Sequence, residues 1–190
     1  MENLLNINIV FEKEVYLDKK ISNREFDGCT FKKCDFSNTI FADCVFIDCE
    51  FIDCNLSMSK LPATGLKTVS FRECKLLGIQ FHECDDFLFN VAFSGSSLDY
   101  SWFINKKMQK TQFIGCSLKG VNFSSADLTS ANFENSNLEG AIFDSTQLKS
   151  ADFTNAYNFR IDPERNPMKS AKFSIGGIEG LLEKYDIKIV

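Results

Sequence analysis

Residues 26–56 read FDGCTFKKCDFSNTIFADCVFIDCEFIDCNL, and this stretch decides the fold. A large apolar residue returns at every fifth position, from Phe26 to Leu56, and a cysteine often precedes it by two residues. A period of five fits neither the turn of an α-helix nor the two-residue alternation of a β-strand. Neither element places these side chains on one face, so the stretch predicts a repeat architecture.

The same pattern extends far beyond this stretch and slips only once. It shifts by two residues near Asp85 and Asp86, resumes at Leu88 and runs on to Phe153. We therefore predict that Leu88 points inward. The position two residues before each large one is mostly small, and it holds all eight cysteines.

A path that turns about 90° every five residues accounts for this spacing. Each pentapeptide then directs one large and one small side chain inward, four pentapeptides complete a square coil, and coils stack at roughly 4.8 Å. From Phe93 onward phenylalanine alternates with leucine or methionine, which predicts columns such as Phe93, Phe113, Phe133 and Phe153. The fold class is all-β, a quadrilateral β-helix.

The motifs resemble those of the pentapeptide-repeat family, whose units begin with Ala, then Asp or Asn, then Leu or Phe. The matching units are Ala126-Asp127-Leu128, Ala131-Asn132-Phe133, Ser136-Asn137-Leu138 and Ala151-Asp152-Phe153. The resemblance implies a right-handed coil. We predict an N-terminal cap over residues 1–23, the pentapeptide-repeat β-helix over 24–158, and a C-terminal cap and dimerisation segment over 159–190.

The cysteines suggest at first a disulfide scaffold or a metal site. Coil spacing holds stacked cysteines slightly too far apart for a disulfide, and side chains from separate sides do not converge as zinc ligands. We therefore expect buried free thiols, no metal and no cofactor. Free thiols suggest a reducing compartment, and the first residues lack a signal or membrane segment, so we expect a cytoplasmic protein with no membrane partner.

The C-terminal segment carries a different pattern. Ile178, Leu181, Leu182 and Tyr185 have helical spacing and predict a short amphipathic helix. Residues 186–190, with Ile187 and Ile189, alternate as a strand does and predict a β tail. Both elements either fold back as a cap on their own coil or join two copies in a two-fold dimer, and we favour the homodimer.

A repeat rod that ends in such a helix and tail resembles the quinolone-resistance branch of the family, the Qnr-type topoisomerase-protecting proteins and their microcin-immunity relatives. That resemblance implies an acidic rod that imitates B-form DNA and binds DNA gyrase or topoisomerase IV. The net charge of −5 favours a basic partner over direct contact with nucleic acid. The topoisomerase-protecting proteins often carry projecting loops, whereas this chain offers only the slip near Asp85.

Two sets of outward residues are candidates for partner binding. The acidic set is Asp43, Asp48, Glu50, Asp53, Glu73 and Glu83, although acidic residues also keep a β-rod soluble. The aromatic set is Phe87, Phe89, Tyr100 and Trp102, although a bulge that packs its own side chains explains the first two equally well.

Enzymatic chemistry finds little support in the sequence. The single histidine, His82, has Glu83 beside it and no further partner arrangement, and no phosphate-binding or dinucleotide motif occurs. We predict no catalytic residues. Two functions remain open: a DNA mimic that binds a type II topoisomerase, and a structural or scaffolding protein with another protein partner.

Overall fold

The computed structural model describes residues 4–188, which form a β-solenoid of about eight turns with one short helix near the C-terminus. All strands pair in parallel with the strand one coil away. The strands are β1 (Leu4–Ile7), β2 (Val10–Glu12), β3 (Lys20–Ser22), β4 (Arg24–Asp27), β5 (Thr30–Lys32), β6 (Ile40–Ala42), β7 (Val45–Ile47), β8 (Glu50–Ile52), β9 (Gly65–Lys67), β10 (Val69–Arg72), β11 (Val91–Ser94), β12 (Phe113–Ile114), β13 (Asp152–Phe153) and β14 (Lys172–Phe173). The helix α1 spans Glu179–Leu182, and 3₁₀ turns span Phe81–Glu83, Ile175–Gly177 and Glu183–Tyr185.

The four sides of the solenoid are numbered here by the inward residues that stack along each. Side 1 carries Phe26, Phe46 and Leu66; side 2 carries Phe31, Phe51, Phe71, Phe93 and Phe113; side 3 carries Phe36, Leu56 and Leu76; side 4 carries Phe41, Leu61, Phe81, Phe103 and Phe123. Side 1 is the sheet β1-β4-β7-β9, and side 2 is the sheet β2-β5-β8-β10-β11-β12.

The predicted core is confirmed. From Phe26 to Phe153 the predicted inward residues of both positions are buried, apart from those at the slip near Asp85. Phenylalanine rings stack on phenylalanine rings one coil away, with centroids 4.6 Å apart for Phe31 and Phe51. The column from Phe93 to Phe153 stacks as predicted, with Phe113 and Phe133 only 3° from parallel. The square coil follows from the five-residue spacing.

Each corner is turned by one residue with a positive φ. These residues recur at every fifth position from Asn8 to Gly78, and again from Gly95 to Ser150. Asn, Asp and Gly tolerate the left-handed region better than other residues, and most corners carry one of these or serine. The corner residue of each pentapeptide therefore sets the direction of the chain, and the large inward residue sets the packing of the core.

The cysteines occupy the small inward position, and all eight are buried and unpaired. The thiols of Cys34, Cys44, Cys49, Cys54 and Cys74 donate to the carbonyl oxygens of large residues one coil below. The bonds from Cys49 Sγ to Phe26 O and from Cys54 Sγ to Phe31 O are both 3.3 Å. Burial raises the pKa of the Cys49 thiol to about 12. The Cys49 thiol is therefore a core group with a hydrogen-bonding role and a poor nucleophile.

The slip near Asp85 appears as one enlarged coil. Hydrogen-bonded partners lie 20 residues apart below it and 22 residues apart across it. The prediction that Leu88 points inward is wrong: Leu88 has a φ of 57° and is 63% exposed. The left-handed backbone turns Leu88 out, and the half-buried Phe89 packs against the core instead.

The described N-terminal residues continue the solenoid. Residues 4–23 form a first coil, in which Phe11 and Tyr16 stack on Phe31 and Phe36. Its strands β1, β2 and β3 each have a single neighbouring strand, so they are the edges of their sheets. A capping role for this coil stays a prediction.

The C-terminal segment folds back on its own last coil. Leu181 packs against the core, Ile161 N donates to Gly180 O at 2.9 Å, and Arg160 pairs with Glu183 at 2.7 Å. The predicted helix is present as α1 and the 3₁₀ turn after it.

The predicted strand over residues 186–190 is wrong for its described part. Residues 186–188 form no strand, because Asp186 adopts a left-handed φ of 49° that ends the helical turn and because no neighbouring strand is available. Ile189 and Val190 lie outside the described residues.

Candidate interaction surfaces

The structure brings together four of the six acidic candidates. Asp48 turns the corner between sides 1 and 2, Glu50 lies on side 2, and Asp53 and Glu73 turn successive corners between sides 2 and 3. They form an acidic group, defined as Asp48, Glu50, Asp53 and Glu73, that borders side 2 in neighbouring coils.

The other two acidic candidates lie elsewhere. Asp43 turns the corner between sides 4 and 1, and Glu83 lies two coils further along, at the end of the 3₁₀ turn Phe81–Glu83. A position at a left-handed corner is itself a reason for aspartate, because its short polar side chain tolerates that backbone. Asp43, Asp48 and Asp53 therefore have a structural role whether or not they bind a partner.

Basic side chains interrupt the acidic group. Arg72 Nη2 lies 3.1 Å from Glu50 Oε1, and both side chains remain partly exposed. An exposed pair of this kind is worth little in stability and leaves a partly neutralised side 2. The chain thus has a net charge of −5, but its acidic side chains do not form a continuous stripe along the rod.

Tyr100 and Trp102 are surface residues at the edge of side 4, 63% and 43% exposed. The Tyr100 ring lies over Gly120, where an added β-carbon would come within 2.7 Å of Cδ1. The Trp102 ring stacks on the imidazole of His82 with centroids 5.8 Å apart. The two aromatic side chains are thus held against the coil, and their outer faces remain available.

Phe87 and Phe89 lie apart from that pair, in the bulge over residues 85–90. Phe87 is 64% exposed, with Lys67 Nζ 5.1 Å from its ring centroid, whereas Phe89 faces the core. The predicted aromatic set is therefore divided: Tyr100 and Trp102 mark side 4, Phe87 marks the bulge, and Phe89 belongs to the packing.

A buried lysine holds the bulge in place. Lys106 is 1% exposed, and its Nζ lies 2.6 Å from both the carbonyl oxygen of Cys84 and Asp86 Oδ1. The same nitrogen lies 4.7 Å from the Phe89 ring centroid. The sequence placed Lys106 in the small inward column but gave no reason for a lysine there. The two-residue slip was the signal, because the enlarged coil brings the Cys84 carbonyl and the Asp86 carboxylate within reach of a long cationic side chain.

The predicted dimerisation residues are split by the fold. Leu181 and Leu182 are half-buried, whereas Ile178, Tyr185 and Ile187 remain exposed. Ile175, which the prediction did not include, is 91% exposed. An open groove of about 1140 Å³ runs between this segment and the last coil, lined by residues that include Tyr157, Arg160 and Glu183. Ile189 lies outside the described residues.

Residues 4–188 contain no cluster of three or more His, Cys, Asp or Glu side chains with the geometry to hold a metal ion. His82 Nδ1 is buried and has no hydrogen-bond partner, and its ring serves to stack on Trp102. In the same part of the chain, no helix has the length and apolar character needed to cross a membrane.

Comparison with known proteins identifies the repeats. A family model described as a pentapeptide repeat region matches residues 24–103, and one described as pentapeptide repeats (8 copies) matches residues 107–144 and 122–157. No curated protein matches.

Two solved structures share the fold along most of their length. A trypsin-treated variant of QnrB1, a plasmid-mediated fluoroquinolone resistance protein, has a TM-score of 0.65, is 17% identical and covers 99% of both chains. HetL, involved in heterocyst differentiation regulation in the cyanobacterium Nostoc, has a TM-score of 0.62, is 15% identical and covers 91% of this chain and 87% of its own. At these identities the likeness establishes the fold alone.

Proposed function

Because this chain belongs to the pentapeptide-repeat family, we propose that it is a non-enzymatic binding rod whose partner is a type II topoisomerase, DNA gyrase or topoisomerase IV. The observation that carries the proposal is the end-to-end likeness to QnrB1, whose name connects that fold with fluoroquinolone resistance. The rod occupies the DNA-binding groove of the enzyme and alters supercoiling or the response to fluoroquinolones or toxins.

The charge of the chain supports a basic groove as the binding site. The net charge is −5, and the acidic group on side 2 places carboxylates in successive coils. Such a rod is attracted to a groove that binds DNA phosphates, and the attraction weakens as salt rises. The protein acts in the cytoplasm, where its free thiols stay reduced.

The direct test is a DNA gyrase supercoiling assay with the purified protein titrated in, with and without a fluoroquinolone. We expect inhibition of supercoiling, or relief of drug-induced DNA cleavage, at low micromolar protein. If the protein changes neither reaction and gyrase does not bind it at low salt, the topoisomerase proposal fails.

Charge variants locate the contact. Asp48→Asn/Glu50→Gln/Asp53→Asn removes three charges around side 2, and asparagine tolerates the two left-handed corners. We expect gyrase binding to weaken about tenfold or more if this group faces the groove. The matched control Glu134→Gln/Glu139→Gln/Asp144→Asn removes three charges several coils away. Equal losses in both variants would mean that charge alone, and not this surface, attracts the enzyme.

A scaffolding function is the second candidate, and the exposed pair Tyr100 and Trp102 favours it. Aromatic side chains that are fixed in place and exposed on one face are typical anchors in protein interfaces. In that case Trp102→Ala removes partner capture while the side 2 charge variant leaves it unchanged. Phe87→Ala, which removes an exposed ring on the bulge, is the control.

A further inference from the structure

The bulge over residues 85–90 exposes two neighbouring apolar side chains. Phe87 is 64% exposed and Leu88 is 63% exposed, and Leu88 adopts a left-handed φ of 57°. A bulky residue adopts that backbone conformation at a cost, which glycine or asparagine avoids. Exposed apolar side chains that are held at such a cost are typical of a surface that a partner covers.

The position of Phe87 places this apolar pair on side 1. Lys67 Nζ lies 5.1 Å from the centroid of the Phe87 ring, and Lys67 ends strand β9 of side 1. The chain still has the register of side 1 at Asp85, whose N donates to Thr64 O at 3.1 Å, and it enters the register of side 2 at Val91. The bulge therefore takes the place of side 1 in the enlarged coil.

The charges on side 1 change sign at the bulge. Outward residues stack in columns along the rod, as Asp127 stacks on Lys107. In the three coils before the bulge, the charged residues of side 1 and of its corner with side 2 are Glu25, Asp27, Asp48 and Lys67. In the three coils after it they are Lys107, Lys110, Asp127 and Lys149. Three acids and one base thus precede the bulge, and three bases and one acid follow it.

We propose that two copies of this chain associate side by side through side 1, in an antiparallel dimer whose two-fold axis crosses the bulge. The axis lies in the interface and is perpendicular to both rods. It therefore sets each coil against the coil of the second copy that lies equally far on the other side of the bulge. Each column faces the same column, and every contact occurs twice. Phe87 and Leu88 of the two copies meet at the axis.

The charges select this arrangement. Asp27, three coils before the bulge, faces Lys149 of the second copy, three coils after it. Asp48 lies diagonally opposite Lys110, and over these six coils no residue of side 1 or of its corner with side 2 faces a residue of like charge. A parallel arrangement of the two rods reverses the columns within each coil and sets Asp27 against Glu25, which is unfavourable.

At the axis itself the two bulges bring carboxylates together, and lysines offset them. Asp86 pairs with the buried Lys106 of its own copy, with Nζ 2.6 Å from Oδ1. Asp85 Oδ1 accepts from Phe87 N of its own copy at 3.0 Å. The exposed Lys107 occupies the column of Asp85 one coil further along. It faces Gly65 of the second copy, whose missing side chain leaves room for the ammonium group to reach Asp85 of either copy.

The contact is a narrow strip. Three coils on each side of the enlarged coil, at roughly 4.8 Å spacing, give a length of about 30 Å along the rod. The strip is one side wide, so the interface belongs to the weak class that buries less than about 1,200 Å². Tyr100 and Trp102 on side 4 lie outside this contact.

Sedimentation of the full chain over about a hundredfold concentration range tests the proposal. We expect a monomer–dimer equilibrium that shifts toward monomer as salt rises. Leu88→Asn removes an apolar side chain at the axis and keeps the fold, because asparagine accepts the left-handed backbone. It should weaken the dimer at least about tenfold, because contacts at the centre of an interface dominate its affinity.

Exchange of one charge pair tests the antiparallel register. Lys149→Asp faces Asp27 of the second copy and should weaken the dimer about tenfold, and Asp27→Lys should do the same. The double variant Asp27→Lys/Lys149→Asp exchanges the two charges and should restore association. Lysine and aspartate both occur in this column already, at Lys67 and Asp27, so the fold tolerates either residue there. A double variant that stays as weak as the single variants overturns this register.

Two substitutions outside side 1 are the controls. Lys75→Asp makes the same change of charge on the opposite side 3, and Ile187→Asp alters an exposed apolar residue of the C-terminal segment. Neither should move the equilibrium, and thermal unfolding of each variant monitors the fold of the monomer. A monomer at every concentration overturns the proposal. So does a dimer that Ile187→Asp abolishes and Leu88→Asn leaves intact, because that dimer forms through the C-terminal segment.

Discussion

The corners of the first half of the rod differ from those of the second half in how they satisfy the carbonyl group of the large residue. At most corners of the second half a backbone amide three residues later closes the turn, as from Ala131 N to Leu128 O at 3.0 Å. In the first half a thiol from the next coil donates to five of these carbonyls, as from Cys74 Sγ to Phe51 O at 3.4 Å, whereas Phe36, Leu56 and Leu61 accept from the backbone amide. The same square path is thus built with two hydrogen-bonding schemes.

The small inward residue of the next coil decides between the two schemes at most corners, whereas Tyr16 O and Phe123 O accept both from a threonine hydroxyl and from a backbone amide. The small inward residue lies 23 positions after the large residue whose carbonyl is satisfied. Where it is alanine, its side chain has no donor, and the backbone amide closes the turn. The carbonyls of this class belong to Phe103, Met108, Leu118, Leu128, Phe133 and Leu148. Ser136 donates from Oγ to Phe113 O at 2.8 Å and shows the other scheme within the second half. Because buried carbonyls need donors, cysteine, serine and threonine here do more than fill space.

The two halves also differ in their rings. In the second and third coils phenylalanine occupies neighbouring sides, and Phe31 meets both Phe26 and Phe36 edge-on at 5.4 and 5.7 Å. In the second half it occupies sides 2 and 4 alone, and Phe113 meets Phe123 edge-on across the core at 5.6 Å. Leucine and, at position 108, methionine fill the remaining sides.

The largest expected effect comes from opening the ring column of the second half. Phe123→Ala removes a fully buried ring that stacks between Phe103 and Phe143. We expect a loss of about 3–5 kcal/mol in the free energy of unfolding, measured by urea denaturation, because the stacked neighbours hold the cavity open. Phe87→Ala, an exposed ring on the bulge, should cost less than about 0.5 kcal/mol. A neutral Phe123→Ala would contradict the inward assignment.

The next effect breaks the side-chain scheme at one corner. Ser136→Ala leaves Phe113 O without its Oγ donor and Cys116 N without its acceptor at 2.9 Å. We expect a cost of about 1–3 kcal/mol in urea denaturation, because both groups are buried. Ser136→Cys keeps a weak donor and should cost less than Ser136→Ala. Equal costs would mean that the hydrogen bonds at this corner do not matter.

The third expected effect is a pH dependence of the free energy of unfolding that arises from the buried cysteines of the first half. Burial raises the pKa of Cys34 to about 11 and that of Cys49 to about 12, whereas an unfolded thiol ionises near pH 8.5. The folded state keeps its protons above pH 8.5 and the unfolded state loses them. The stability is therefore fully present below that pH and falls as pH rises toward 11–12.

Each such thiol contributes about 1.4 kcal/mol of this loss per pH unit in that window. Urea denaturation of the wild-type chain and of Cys34→Ala/Cys49→Ala, from pH 8 to about pH 10.5, measures the difference. The variant should be less stable at pH 8 and should lose less stability on the alkaline side. Parallel pH profiles would show that the thiols ionise equally in both states.

The smallest effect concerns ion pairs between coils. Arg72→Gln in the first half and Lys119→Gln in the second each break one exposed pair, with Glu50 and Glu139 respectively. We expect a cost below about 1 kcal/mol for each in thermal unfolding, decreasing with added salt, because solvent screens these charges. A larger loss of stability for one of the two variants alone would show that its half of the rod depends on surface charges for stability.

Most of the fold could be predicted from the sequence because a five-residue spacing admits one inward face per pentapeptide. The stacking of Phe93 on Phe113 and the burial of the cysteines follow from that spacing alone. Periodicity does not say how a chain absorbs two extra residues. Leu88 keeps the phase yet turns out, since a left-handed backbone at that position overrides its apolar character.

The candidate surfaces were less predictable, because outward positions are constrained by the corners as well as by binding. The aspartates at positions 43, 48 and 53 satisfy a left-handed backbone first. The exposure of Tyr100 depends on Gly120 one coil away, a contact that becomes visible only when the coils are stacked. Lys106 was the least predictable, because its partners Cys84 and Asp86 lie in the enlarged coil.

The enlarged coil has a consequence for how such rods acquire new features. Two added residues are absorbed between Asp85 and Asn90, and the next coil returns to a 20-residue register at Ser97 and Ser117. A longer insertion at this place faces the same boundary conditions, and each doubling of its length costs only about 0.6 kcal/mol in chain entropy. The bulge is therefore a site where a peptide of foreign sequence can be grafted and displayed, with Lys106 anchoring its base.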